Sequence, residues 1–124
     1  MSAAIVMFHG SLDVTTKNAT SAVLKSVSAS SQLTLDLSDV DIVDSSFFTT
    51  FVELYRDRLG QAEPAAIRVI APDKVHRLFH VVGLDRCVEL YGEGDKRAAD
   101  IRLVELLGTP RMQALQNAEV LVLR

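Results

Sequence analysis

The chain has 124 residues, 48% of them hydrophobic and 23% charged, with a formal charge of −3 and one cysteine. Such a chain is long enough for one domain with its own core, too apolar for disorder, and without any apolar run near the ~20 residues that would span a bilayer. Acids and bases are mixed along it with no basic stripe for nucleic acid, so protein partners are expected. Cys87 alone allows no internal disulfide and suits a reducing cytoplasm, and "MSAAIVMFHG" lacks the basic leader and cleavage region of a secretory signal.

From the start, strand-like runs alternate with segments of helical period. "AIVMF", Ala4 to Phe8, reads as a short strand closed by His9 and Gly10. "VTTKNATSAVLKSV" places Ala19, Ala22, Val23 and Val27 three and four apart, with Thr15 or Thr16 available as N-cap, which predicts a short helix. "LTLDL" alternates, with Leu33, Leu35 and Leu37 on one face of a second strand.

In "DIVDSSFFTTF" a carboxylate and two hydroxyls precede a run of large apolar residues. Phe47, Phe51, Tyr55 and Leu59 form a helical stripe with Phe48 and Val52 beside it, Glu53, Arg56 and Asp57 take the other face, and Gly60 ends the run. Asp44, Ser45 and Ser46 then stand at the helix N-terminus, where orphan N–H groups and the positive end of the macrodipole favour side-chain oxygens. Capping alone would account for them.

"IRVIA", Ile67 to Ala71, reads as a third strand, and "PDKVHRLFHVVGL" as a helix. Its apolar face is Val75, Leu78, Phe79 and Val82; Pro72 and Asp73 suit a first turn, and Gly83 with Leu84 a Schellman close. "CVELY", Cys87 to Tyr91, is a fourth strand and "GEGDK" a loop. "RAADIRLVELLG" has a helix's pattern, "TPRMQALQN" suggests another helix with Thr109 as cap and Pro110 in its first position, and "VLVL", Val120 to Leu123, is strand-like. The alternation predicts an α/β domain with a mixed or parallel sheet of four to five strands, helices mainly on one face, and an extra helix and strand at the C-terminal end.

"LTLDLSDVDIVDSSFFTTF" followed by "VIAPDKVHRLFHVVGLDRCVEL" resembles the core of a STAS domain, the family of bacterial anti-sigma-factor antagonists. Upstream, "GSLDVTT" resembles that family's Gly-x-Leu-Asp turn, so the likeness runs from about residue 4 to 91 of a single domain over 1–124, with 92–124 as a C-terminal extension. The resemblance implies a cytoplasmic, non-enzymatic module that binds an anti-sigma factor, itself a serine kinase of GHKL type, and so regulates a sigma factor and transcription. It implies no cofactor and no metal. Carried over by position, the phosphate acceptor is Ser45, with Ser46 the lesser candidate, and the partner-binding residues are Asp13, Asp44, Ser45, Ser46, Phe47 and Phe48.

Family members usually follow the Ser-Ser/Thr element with Gly and Leu, where this chain has Phe47 and Phe48. They also usually begin with a β-hairpin, whereas here one strand precedes Gly10 and an extra "VLVL" ends the chain. Val120 to Leu123 is therefore expected beside Ala4 to Phe8, or against a second copy in a homodimer. Two other roles of STAS-like chains stay open. One is a scaffold subunit of a stress-signalling complex; the other is a cytoplasmic accessory subunit of a lipid-transport ABC system, whose members commonly carry Thr-Gly-Gly at Ser45-Ser46-Phe47.

The remaining candidates for chemistry lack partners at the right spacing. His76 and His80 stand i, i+4 without a further ligand, so two solvent-facing histidines are expected rather than a metal site, and His9 is read as structural. Adjacent Asp44 and Ser45 cannot form a nucleophile–base–orienter set, no G-x-S-x-G elbow exists, and "YGEGDK" has no Walker spacing. Cys87, opening a strand, is read as a small buried hydrophobe.

Overall fold

The computed structural model describes residues 3–60, 66–92, 94, 110–114 and 117–123. Six strands form one sheet: β1 (Ala3–Leu12), β2 (Leu33–Val43), β3 (Ile67–Ala71), β4 (Val88–Gly92), β5 (Pro110–Ala114) and β6 (Ala118–Leu123). Their order across the sheet is β4-β3-β2-β1-β6-β5. The pairs β1–β2, β2–β3 and β3–β4 are parallel, joined through α1 (Lys17–Val27), α2 (Ser45–Leu59) and α3 (Asp73–Val81). Three crossovers step the same way across the sheet, and all three helices pack on one of its faces, as the right-handed rule for such crossovers expects.

The core lies between that face and the helices. Ala4, Val6 and Phe8 of β1, Leu33, Leu35 and Leu37 of β2, and Ile67, Val69 and Ala71 of β3 meet Val23, Leu24 and Val27 of α1, Phe47, Phe51 and Leu54 of α2, and Val75 and Phe79 of α3. All five phenylalanines of the chain join one cluster, with Phe79 edge-on to Phe48 at 5.2 Å and to Phe51 at 5.6 Å. Helix α1 turns its buried face slightly from the expected one: Thr20, Val23, Leu24 and Val27 are inside while Ala22 is exposed. In α2 the inward stripe ends on Arg58 rather than Leu59, which is 56% exposed. Helix α3 starts one residue later than expected, with Pro72 at its N-cap. It closes in a full Schellman motif, Gly83 at φ +76 with Leu84 N–H to Phe79 C=O at 2.9 Å and Gly83 N–H to His80 C=O at 3.1 Å. Val82 is turned out, and Gly60 is a C-cap in the ordinary helical region, not a left-handed one.

Polar residues depart from their expected places as well. Between the leucines of β2, Thr34 and Asp36, on the sheet face away from the three helices, are buried too. Cys87 closes a single 3-10 turn, Asp85–Cys87, instead of opening β4, and is only half-buried. His76 is half-buried, with Nε2 3.0 Å from the Tyr91 carbonyl, while exposed His80 meets Asp85 at 3.0 Å.

At the C-terminal end the expected helix over "TPRMQALQN" gives way to strand β5, antiparallel to β6. The expected helix over residues 97 to 108 lies outside the described residues. Strand β6 runs antiparallel to β1, Val6 opposite Val120 and Ala4 opposite Val122, which is the expected intrachain pairing. Flanked by β1 and β5, β6 keeps no free edge for a second copy, so a homodimer through that strand is not supported.

Candidate functional site

Strand β1 continues past Gly10 to Leu12, and β2 runs beside it to Val43, well beyond the ends expected from the sequence. The ladder shifts register twice, between Met7 and His9 and between Gly10 and Ser11, each time with an extra residue on β2. Gly10 takes φ +73 at the second shift, a conformation that costs a glycine little. Bulges of this kind re-aim the following residues. Here they bring Val43 opposite Leu12 and let the Asp44 N–H donate to the Leu12 carbonyl at 3.1 Å, which ties the end of β1 to the start of α2.

The loop after Leu12 is braced internally. The Asp13 carboxylate accepts the Thr15 N–H at 2.9 Å and the Thr15 hydroxyl at 2.5 Å. Thr16 occupies the N-cap position of α1 without capping it. Its hydroxyl donates to the Ser11 carbonyl at 2.9 Å and accepts the Asp13 N–H at 3.1 Å. On the other side, Lys74 at the start of α3 donates to the Asp41 carbonyl at 2.8 Å. The C-terminal ends of β1, β2 and β3 are thus joined around the first turn of α2.

Asp44 is the N-cap of α2. Its Oδ1 accepts the Ser46 N–H at 2.9 Å and the Ser46 hydroxyl at 2.5 Å. The Ser46 hydroxyl, then its N–H, hold the Asp44 carboxyl below its ordinary value, with smaller help from the N–H groups of Val14 and Phe47. Ser46 is half-buried and its hydroxyl committed; Ser45, the first helical residue, is exposed and its hydroxyl bonds to no described residue. Phe47 and Phe48 are 2% and 7% exposed, so neither offers a partner its ring, contrary to the expectation for them. Both rings point into the aromatic cluster, where Phe47 meets Phe8 at 6.4 Å and Phe48 meets Phe79. Asp13, Asp44, Ser45 and Ser46 lie where the C-terminal ends of β1 and β2 meet the start of α2.

Two apolar residues that the sequence did not single out, Val14 and Ile42, are exposed on the segments leading into and beside this turn. Nothing in "LDVTT" or "VDIVD" marks them, since alternation alone would have sent either inward. The three histidines are engaged elsewhere: His76 and His80 on α3, and His9 in β1 between Asp39 at 3.4 Å and Glu119 at 3.5 Å. No histidine therefore pairs with the Ser45 hydroxyl among the described residues, and no group of three metal-ligating side chains occurs among them. What the arrangement offers is an accessible hydroxyl at the positive end of a 15-residue helix, on a surface with exposed apolar side chains.

The family model described as Mlab, STAS domain, matches residues 2–92, well over half of the chain. The chain belongs to the STAS-domain family. Two solved structures share the STAS fold seen here. An anti-sigma factor antagonist from Mycobacterium paratuberculosis superposes with a TM-score of 0.66 at 23% identity, covering 82% of this chain and 86% of that one. The anti-sigma factor antagonist SpoIIAA in its unphosphorylated form gives 0.59 at 13% identity, covering 82% and 89%. No curated protein matches the sequence. No helix among the described residues of this STAS domain is long and apolar enough to cross a membrane.

Proposed function

We propose that this STAS domain is a cytoplasmic anti-sigma-factor antagonist, a binding module without catalytic activity of its own that is switched by phosphorylation of Ser45. Its partner is an anti-sigma factor that is also a GHKL-type serine kinase. The bare serine docks against that partner, which keeps the anti-sigma factor from its sigma factor. One observation carries the reading: at the start of α2 the cap is supplied by Asp44 and the Ser46 hydroxyl is committed, which leaves Ser45 exposed and chemically idle. The likeness in fold to two anti-sigma factor antagonists supports it.

A phosphate on Ser45 adds about −1.5 to −2 charges and three strong acceptors. The helix accommodates it, because its N-terminal N–H groups and dipole favour anions. A partner packed against the serine does not, since the phosphate brings desolvation and like-charge repulsion beside acidic groups. The complex then opens while the fold persists. Incubation with the GHKL kinases of the source organism and ATP, followed by mass spectrometry, tests the reading. Phosphate on Ser45, lost in Ser45→Ala and weakening the complex, is expected. No modification by any of these kinases would reduce Ser45 to part of the helix start and favour a scaffold or transporter subunit instead.

A further inference from the structure

The surface around Ser45 lacks the apolar side chains expected of it, because Phe47 and Phe48 are turned into the core. Asp44 and Ser46 satisfy each other in the cap, and Ser45 offers only a hydroxyl that water already solvates. A hydrogen bond exchanged with water adds little net affinity, so a partner settling on this turn needs apolar area beside it.

Five large apolar side chains are exposed among the described residues. Leu59, Val81 and Val82 lie at the C-terminal ends of α2 and α3, and α2, at 15 residues, puts about 22 Å between that end and Ser45. The other two are Val14 and Ile42. Val14, 73% exposed, follows Asp13 in the loop after β1, and its N–H donates to the Asp44 carboxylate, directly before Ser45. Ile42, 56% exposed, lies on β2 opposite Ser11, with its Cα at most about 11 Å from that of Ser45 three residues on. On the two segments that carry these side chains, 11–17 and 39–45, Asp13, Asp39, Asp41 and Asp44 stand against Lys17, with Lys74 of α3 at the Asp41 carbonyl. The two apolar points thus have a mainly negative surround.

We infer that Val14 and Ile42 are the anchors by which this chain holds the kinase that modifies Ser45, and that the kinase receives them in apolar hollows bordered by basic side chains. The inference rests on the proposed function and names the contact which that function needs. A phosphate on Ser45 falls within the same contact, where docking would strip it of water.

The experiment uses the GHKL-type kinase that phosphorylates the parent, with ATP and varied concentrations of the full chain. The variants are Val14→Thr, Ile42→Thr, the two combined, and Leu59→Thr as a control. Threonine keeps the β-branched shape of both anchors and exchanges apolar surface for a hydroxyl at positions open to water, so urea midpoints are expected to stay with the parent's. Each single variant is expected to raise KM for the chain, and Kd of the unphosphorylated complex, by about fivefold, and the double variant by about twenty-fivefold, with kcat kept. Leu59→Thr is expected to behave like the parent, and the parent's Kd to rise with added salt. A double variant with the parent's KM and Kd, an equal loss in Leu59→Thr, or a Kd indifferent to salt would each overturn the inference while Ser45 is still phosphorylated. A parent that no GHKL-type kinase phosphorylates overturns the proposed function and the inference with it. Dimerisation of the free chain that the double variant abolishes would give this surface to a second copy and overturn the assignment to the kinase.

Discussion

Asp44 accepts both the N–H and the hydroxyl of Ser46 through one carboxylate oxygen, while Ser45 leaves its hydroxyl in solvent. Under the proposed function, stability and switching are therefore carried by different side chains of the same turn. Ser45→Ala leaves the urea midpoint nearly unchanged, within about 0.5 kcal/mol as at other exposed positions. Asp44→Ala lowers it, because α2 loses both a cap acceptor and a negative charge at its positive end; Asp44→Asn recovers the acceptor but not the charge. A pH series separates these two contributions. The Asp44 carboxyl is held below the ordinary value of 3.8, so its charge stabilises the fold above that value, and the benefit is lost as acid titrates through the folded pKa. The stability gap between the parent and Asp44→Asn, followed by circular dichroism in urea, is thus expected to stay level between about pH 5 and 7 and to close below the ordinary value.

At the scale of elements, α2 and α3 are fixed by rings. Phe79 stands edge-on to both Phe48 and Phe51, and is fully buried. Phe79→Ala is expected to cost about 3–5 kcal/mol in urea unfolding, and Phe79→Leu about 1–2 kcal/mol, since leucine keeps most of the apolar area and loses the edge-to-face contacts. A Phe79→Leu cost near zero would mean that ring geometry contributes nothing. These helices were legible because Phe47, Phe51, Val75 and Phe79 repeat at helical spacing and Gly83 marks the close. Arg58 was not, because its acceptors are the Ser28 and Ser30 carbonyls, about thirty residues upstream, and no local spacing reveals such a bond. Residues 110–114 misled for a related reason. Met112, Gln113 and Ala114 favour helices, and Pro110 after Thr109 imitates a helix start, yet pairing with β6 overrides that preference. A proline at the first residue of an edge strand loses no ladder bond. At the site, the place of Asp44 and Ser45 was legible from capping chemistry, whereas the inward turn of Phe47 and Phe48 required knowing what α2 packs on.

At the scale of the whole molecule, the C-terminal strand does for β1 what no other element can. Strand β1 lies between β2 and β6, so its apolar residues Ala4, Ile5 and Val6 are enclosed by ladders on both sides. The hairpin is also anchored laterally: the buried Asn117 side-chain amide donates to the Thr20 hydroxyl of α1 at 3.1 Å, and the Asn117 backbone carbonyl accepts the His9 N–H at 2.9 Å. Removing residues 119–124 bares the N–H and C=O groups along one side of Ala3–Met7, an apolar strand edge of the kind that templates pairing with another chain. The truncated protein is expected to unfold at lower urea and to elute as larger species in size exclusion, more so at higher concentration. Val120→Asp, which places a charge at a buried position of β6 in the full-length chain, lowers the urea midpoint by about 2–3 kcal/mol without removing the edge cover. A truncated chain that stays monomeric and as stable as the parent would show that β6 protects nothing. Because β6 pairs with residues 3 to 8 while the Asp44 N–H is held at Leu12, the loss is expected in stability and association, and the phosphate transfer to Ser45 that the proposed function calls for is expected to be unaffected in the folded fraction.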